Sequence, residues 1–386
     1  MSIILYLFYA ILTIAYVRQF LRLLLSLSYN FNRKHNQPVT YPKISIIVPA
    51  YNEEKTIYTC LQSLKNLDYP NYDVVVVDDG STDRTFEVAS KCGTAKVIRQ
   101  NNMGKPNALN NGVLAADGEI ILTVDADTTI DRHALRWIAA RFEVNKRLGA
   151  VAGNVKIKNE KSLLNAVQSA EYAIGINLVR KGQSVLGSVL IVPGPVAALR
   201  REAIECAGFF SDDTFAEDFD VTLKIIKSGY RVEYEEASMA YTDVPKNIED
   251  LIKQRRRWYR GMIQALEKHS DMYFNGRYGS AGMFGVPNLW FDAVSPFLNI
   301  GLLLVTLLLW LFTGDIQFSL VGIAGYLMLS LGVGIVGLSL EPNPEKRNYL
   351  ALPLLIVYNT FLEGIRIMSL TEELVNIIMD WEKPRR

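Results

Sequence analysis

Two patterns of apolar residues divide the chain. Residues 293–314 run for 22 positions without a charge, and residues 316–340 for 25 more. A helix needs about 20 apolar residues to cross the hydrocarbon core of a bilayer. Two such runs almost back to back predict transmembrane helices rather than buried core helices. Residues 1–17 are apolar and then meet Arg18 and Arg22, with apolar positions resuming to residue 28. A cleaved signal peptide would need a basic n-region and a small-x-small site, and neither is evident. The pattern predicts an uncleaved anchor over 1–28. Residues 348–362 are uncharged up to Glu363, which predicts either another span or a re-entrant or interfacial piece.

Between about 40 and 245 the apolar runs are shorter and alternate with amphipathic ones. KISIIVPA (43–50), DVVVVDDG (73–80), AKVIRQ (95–100) and EIILTVDAD (119–127) read as strands. Residues 53–64, 83–92 and 105–116 read as helices, the last with Pro106 in its first turn. Strands that are apolar on both faces and separated by helices predict a parallel sheet in an α/β layer fold. Open sheets of this kind bind ligands beyond the carboxyl ends of their strands. Three of these ends are polar or acidic: Ala50-Tyr51-Asn52-Glu53, Asp78-Asp79 and Asp125-Ala126-Asp127.

Composition narrows the classes. The 386 residues are 49% hydrophobic and 21% charged, which excludes a disordered chain. Lys+Arg is 41 against Asp+Glu 40, so no overall basic field points to nucleic acid. Cys60, Cys92 and Cys206 are scattered, as are His35, His133 and His269, so zinc ribbons, disulfide scaffolds and histidine metal sites lack support. No G-x-G-x-x-G follows the first strand, and Gly104-Lys105 lacks the earlier glycine of a P-loop. Arg18, Arg22, Arg33 and Lys34 follow the first apolar run, Lys253 to Arg260 precede the second, and Lys346-Arg347 follow the third. Positive charge marks the cytoplasmic side, so these clusters place 40–280 inside and Gly314-Asp315 in a short outer loop. A full span at 348–362 would put the basic tail outside, against that rule.

The acidic strand ends carry the candidate chemistry. Asp125 and Asp127 stand two apart at a buried strand end, where charge is costly unless it binds something. Two hard oxygen donors suit Mg²⁺ or Mn²⁺, which favour carboxylate plus substrate phosphate. Such a metal would neutralise a diphosphate leaving group. A carboxylate of Asp78-Asp79 could accept from a base N–H or ribose hydroxyls. Glu217-Asp218 opens a helical pattern; acids cap helix starts, but one here could also deprotonate a sugar hydroxyl. Gln254, Arg257 and Trp258 share one helix face at i, i+3, i+4. Arg257 can hold phosphate oxygens, and Trp258 can stack on a sugar ring. Arg255 and Arg256 point elsewhere, toward anionic lipid headgroups.

Together these residues resemble the membrane-integrated processive family-2 glycosyltransferases, the cellulose, hyaluronan, chitin and poly-N-acetylglucosamine synthases. The matching pieces span about 40–300: IIVPAYNEE (46–54), VVDDGSTD (76–83), GKPNALNNG (104–112), VDAD (124–127), AEDFD (216–220) and QRRRW (254–258). The resemblance implies an α/β GT-A domain (Rossmann-like, mostly parallel sheet) on the cytosolic side plus transmembrane α-helices. Its parts would be an anchor at 1–28, the GT-A domain at 40–245, interfacial helices at 246–280, C-terminal helices at 284–366 and an amphipathic basic tail at 367–386. Tyr51, Glu53, Asp78, Asp79, Lys105, Asp125 and Arg257 would hold the nucleotide sugar, and Asp127 the metal, Mg²⁺ or Mn²⁺. Asp218 would be the catalytic base. Glu217, Gln254 and Trp258 would bind the acceptor end of the glycan. The acid pair is preceded by Ala216 where the family commonly has Thr. Gly194 to Arg200 fall where family members line the acceptor side, and Asp292 would lie near a channel mouth. The implied partners are a UDP-sugar donor, a growing glycan, the lipid bilayer and accessory subunits, with UDP-N-acetylglucosamine as the donor. The rival reading is transfer of one sugar to a polyprenyl phosphate.

Overall fold

The computed structural model describes residues 2–32, 37–158, 162–313 and 317–377. Arg33, Lys34, the Gly314-Asp315 loop and the last residues of the tail lie outside the described residues.

The alternating middle folds as expected. Strands β1 (Ile44–Ala50), β2 (Tyr72–Asp79), β3 (Lys96–Gln100), β4 (Ile120–Thr123), β5 (Thr129–Ile130), β6 (Leu148–Ile157), β7 (Ala197–Arg200) and β8 (Arg231–Thr242) form one sheet. Its order is β3-β2-β1-β4-β7-β6-β8-β5. The first four strands are parallel, as are β6 and β8, while β7 runs antiparallel between β4 and β6. The reversal at β7 leaves the sheet mixed, which the β-branched runs alone did not reveal.

Alternate side chains of β1 and β2 supply two cores. Ile46, Val48 and Val76 pack with α2 (Ile57–Lys65), α3 (Thr85–Lys91) and α5 (Ala134–Val144). Ile47, Val75 and Val77 pack with α4 (Lys105–Ala115), α8 (Arg201–Cys206) and α9 (Glu217–Lys227). Helix α4 sits so close that a Cβ on Gly112 would come 2.2 Å from Ile47 Cγ2. Register then aligns the strand ends: Ala50 faces Asp78 and Ile47 faces Thr123, so all three acidic ends meet at one edge. Strand β4 stops at Thr123, and Asp125–Asp127 lie in the following turn rather than in the strand. The carboxylates can therefore face outward together instead of alternating through the sheet.

The remaining helices build a third layer. Helix α6 (Leu163–Glu171) runs through a π turn (Tyr172–Asn177) into α7 (Leu178–Val185). With α10 (Ile248–Lys268), parts of this segment pack against α12 (Gln317–Ser339) and α13 (Lys346–Leu374). Among the described residues, four helices are long and apolar enough to cross a membrane, over Tyr9–Phe31, Ala281–Leu308, Leu320–Ser339 and Lys346–Leu374. The first lies in α1 (Ser2–Asn32), and the second includes most of α11 (Val286–Thr313). Arg18 and Arg22 stand inside α1 rather than after it, and both pair with Asp292 of α11, at 2.5 and 3.1 Å. Asp292 is thus a counter-ion that joins two helices.

Helix α13 is one continuous rod of 29 residues past Pro353, not a short re-entrant piece. Near its start Asn348 donates to Ser169 of α6 at 2.9 Å, midway Tyr358 reaches Glu171 at 2.8 Å, and near its end Glu372 pairs with Arg256 of α10 at 2.6 Å. The helix therefore meets α6 of the catalytic domain near its start and the interfacial helix α10 near its end.

Candidate active site

The loops after β1 and β2 are sewn together first. Asn52 adopts φ 54°, and its Oδ1 accepts from Thr82 N at 2.8 Å. Glu53 N donates to Thr85 Oγ1 at 2.7 Å, while the Glu53 carboxylate accepts from Thr56 at 2.6 Å. Tyr51 stands half-buried at this junction.

Asp78 and Asp79 divide their labour. Asp79 is buried and turns both oxygens inward: Oδ1 accepts from Gln100 Nε2 and Met103 N at 2.8 Å, Oδ2 from Gly104 N at 2.9 Å. It anchors the loop that launches α4, with Gly104 at φ 88° as the last residue before the helix. Asp78 is fully buried, accepts from Ser81 N at 3.3 Å and pairs with Arg99 Nε at 3.3 Å. Sequence reasoning missed Arg99. The signal was its cross-strand register with Asp78 once β3 was placed beside β2. Arg99 and Phe86 flank an open cleft of about 1340 Å³ beside Ser81 and Gln100.

Lys105, the first residue of α4, gathers the next group. Its Nζ lies 2.8 Å from Asp125 Oδ1 and 3.0 Å from Glu217 Oε1. Burial works against its charge, but Asp125 and Glu217 outweigh that and raise its pKa. A Cβ on Gly194 would come 2.9 Å from that Nζ and 3.4 Å from the Asp125 carboxylate, so a larger residue there would press on the lysine tip. Gly194 therefore fronts the Lys105–Asp125 pair, whereas Ala197–Arg200 form β7 inside the sheet. The segment is not an acceptor-side lining along its length.

Asp127 is almost fully buried, with Oδ1 facing the hydroxyls of Thr128 and Thr242 at 3.2 and 3.4 Å. Lys158 holds the Asp127 carbonyl at 2.5 Å. Asp125, partly exposed, and Asp127, buried beside it, offer only hard carboxylate oxygens. That donor set fits Mg²⁺ or Mn²⁺, which take one or two carboxylates and complete their shell with phosphate and water. Among the described residues, no group of three His, Cys, Asp or Glu side chains is arranged to hold an ion alone.

Glu217 and Asp218 open α9, and Asp218 Oδ1 accepts from Phe219 N at 2.8 Å. Burial and then the neighbouring Glu217 push the Asp218 carboxyl up to about 6, against the pull of Lys105 and Arg257. An acid so shifted beside a lysine is suited to general-base work near neutral pH. Buried Asp220 fixes the helix behind it through His269 at 2.9 Å and Lys268 at 2.7 Å.

Helix α10 presses on this turn. A Cβ on Gly261 would lie 2.7 Å from Ala216 N. Arg257 enters the electrostatic neighbourhood of Asp218, and its buried Nε has no hydrogen-bond partner among the described residues. Gln254 is buried and accepts from Arg255 at 2.5 Å. Trp258 lies under the Arg255 guanidinium at 4.2 Å and beside Tyr172 at 6.4 Å. Arg255 is itself buried and paired with Glu171 at 2.6 Å, and Arg256 pairs with Glu372. Neither is directed to lipid headgroups: protein carboxylates on α6 and α13 neutralise both. The structure thus brings Lys105, Asp125, Glu217 and Asp218 together, with Arg257 acting on Asp218 through its charge and Asp79 holding the loop before Lys105; Glu53 and Gln254 bond to Thr56 and Arg255 instead.

Comparison with known proteins agrees with this geometry. Residues 45–208 match glycosyl transferase family 2, and residues 208–270 match the chitin synthase-like glycosyltransferase domain. The poly-beta-1,6-N-acetyl-D-glucosamine synthase of Staphylococcus epidermidis is 34% identical over 227 residues, 58% of this chain and 55% of that protein. The synthase of the same description from Staphylococcus aureus is 33% identical over 243 residues, 62% of this chain and 59% of that protein. The chain therefore spans little more than half the length of these curated relatives. The solved mannosyltransferase PcManGT from Pyrobaculum calidifontis, in complex with GDP-Man and Mn²⁺, shares the fold. Its TM-score is 0.68 at 20% identity, covering 96% of this chain and 100% of that one. From the first strand to the end of α10 the chain thus carries a family-2 glycosyltransferase domain continued by a chitin synthase-like one.

Proposed function

We propose that the protein is a membrane-bound inverting glycosyltransferase that uses UDP-N-acetylglucosamine to elongate a β-linked polysaccharide. The observation that carries this reading is the meeting of Lys105, Asp125 and Glu217 within 3.0 Å beside Asp218, with Arg257 of α10 facing the same carboxylate. The likeness to poly-N-acetylglucosamine synthases supports the choice of sugar and of a polymeric product.

The reaction is a single in-line displacement. Asp218 accepts the proton of the acceptor hydroxyl as its oxygen bonds to the anomeric carbon. The bond from that carbon to the UDP oxygen breaks on the opposite face, so an α-linked donor gives a β-linked product. Lys105 and Arg257 receive the diphosphate, and the charge that develops on leaving is met by fixed cations. Asp127, with Asp125, would hold Mg²⁺ or Mn²⁺, which supplies further charge neutralisation to the leaving group. Tyr51, Asp78 and Arg99 border the nucleotide end; Trp258 offers its ring to the acceptor sugar. In this reading α1, α11 and α12 cross the membrane, the catalytic domain is cytosolic, and the product leaves between the helices.

Product analysis tests the proposal. Purified protein in detergent is given radiolabelled UDP-N-acetylglucosamine, UDP-glucose or UDP-glucuronate, with and without polyprenyl phosphate. A polymer made from the first donor and abolished by Asp218→Asn is the expected result. A single lipid-linked sugar would replace the reading with transfer to a lipid carrier.

A further inference from the structure

The turn that presents Asp218 is held from outside its own helix. Ala216 stands at the start of α9 and has no side chain that can accept from the first-turn N–H groups. A Ser, Thr, Asp or Asn there would fix that end locally. The Asp218 carboxylate takes the Phe219 N–H at 2.8 Å, and Asp220 N donates to the Ala216 carbonyl at 3.0 Å. Both bonds stay within the start of α9, so neither ties it to a neighbouring element.

Helix α10 supplies that tie with one face. Arg257, Gly261 and Gln264 are spaced i, i+4, i+7 and line up along one stripe. Gly261 lets α10 come so close that an added Cβ would lie 2.7 Å from Ala216 N. Gln264 makes the directional contact: its Oε1 accepts from Phe215 N at 3.0 Å. Phe215 is three residues ahead of Asp218 in the chain.

The other end of the same amide is also occupied. Gln264 Nε2 donates to Glu373 Oε1 of α13 at 3.1 Å, and Arg260, one turn earlier on α10, pairs with the same oxygen at 2.5 Å. The Arg260 guanidinium in turn stands 5.8 Å from the Phe215 ring. A primary amide has one donor end and one acceptor end, whereas an ionised carboxylate only accepts. Glu373 therefore fixes which way the amide points, with its oxygen toward Phe215 N. A line of contacts runs from Glu373 through Gln264 to the turn that carries Asp218.

We propose that Gln264 is a positioning residue, whose side-chain amide, oriented by Glu373, fixes the turn before α9 and so sets where Asp218 meets the acceptor hydroxyl. The inference rests on the polysaccharide-elongation reading, in which Asp218 is the base. Gln264 touches neither donor nor acceptor and takes no part in proton transfer.

Initial rates of polymer formation from radiolabelled UDP-N-acetylglucosamine, on the full chain in detergent, test it. Gln264→Glu keeps an acceptor for Phe215 N but sets a second carboxylate against Glu373. Gln264→Leu removes both bonds at similar volume. Each is expected to lower kcat about tenfold while KM for the donor stays within about twofold. Adding Glu373→Gln to Gln264→Glu reverses the relay, since the new amide donates to the new carboxylate, and is expected to bring kcat back to within about threefold of the wild type. Gel filtration and the thermal midpoint establish that each variant is folded. Wild-type kcat in folded Gln264→Glu and Gln264→Leu overturns the assignment. So does a change confined to the donor KM, or a double variant no more active than Gln264→Glu. A wild type that forms no polymer and charges only polyprenyl phosphate overturns the elongation reading and this inference with it. A wild type that elongates, with variants that match it, overturns this inference alone.

Discussion

Lys105 Nζ stands 2.8 Å from Asp125 Oδ1, which ties the start of α4 to the first carboxylate of the D-x-D turn. The lysine bridges two acids from different elements, Asp125 and Glu217, so its removal both frees and opposes them. Lys105→Met is expected to lower kcat/KM for the UDP-sugar by roughly 10- to 100-fold, the scale of a lost charged hydrogen bond. Initial rates across donor concentration measure it, and a rate matching the wild type would contradict the role.

Asp218 is raised to about 6 by burial and by Glu217. A base must be deprotonated, so activity is expected to fall as pH drops through that value. Glu217→Gln removes the like charge and leaves Lys105 to act on Asp218, and both changes favour the carboxylate. The acid limb of the pH–rate profile is therefore expected to move to lower pH in Glu217→Gln. A limb that stays put or rises would assign the titration to another group.

Gly261 has room for no side chain against Ala216. Overpacking of this kind costs about 1–3 kcal/mol, and here the displaced backbone is the turn that carries Asp218. Gly261→Val is expected to lose more activity than its drop in thermal midpoint would explain. Equal activity at assay temperature in a folded Gly261→Val protein would show that α10 does not set that turn.

Asp292 answers both Arg18 and Arg22 from α1. Asp292→Ala leaves two cations uncompensated between apolar helices, with an expected loss of roughly 1–3 kcal/mol given their partial exposure. The thermal midpoint in detergent reads this, and restoration by a second change, Arg18→Leu, would identify the pair rather than the aspartate as the cause.

Because α13 meets α6 near its start and α10 near its end, the tail is expected on the same side as the catalytic domain. A C-terminal epitope in inverted membrane vesicles should be accessible without detergent. Access only in right-side-out vesicles would mean that α13 crosses.

The sequence was most legible where one physical pattern decided the outcome. The β-branched runs located β1 to β3, and the acidic ends pointed to the edge where the candidate site lies. Uncharged runs marked α11 and α12. What could not be read was any choice made by partners distant in the chain. Nothing near Arg255 announces Glu171, and nothing near Asp292 announces the two arginines some 270 residues earlier. Basic clusters therefore looked like lipid contacts when they were internal ion pairs. The antiparallel insertion of β7 was hidden for the same reason, since register with β4 and β6 depends on the whole sheet.

The arginine row of α10 is closed by acids on two other helices: Arg255 by Glu171, Arg256 by Glu372, and Arg260 by Glu373 at 2.5 Å. The consequence is practical. A solubilising agent that wedges α13 away would leave the sheet intact and strip Arg256 and Arg260 of their counter-charges, so a preparation could keep its secondary structure while losing turnover. Loss of activity on extraction would then report the lipid-side seam between two helices, and short-chain or charged detergents would be the first to open it.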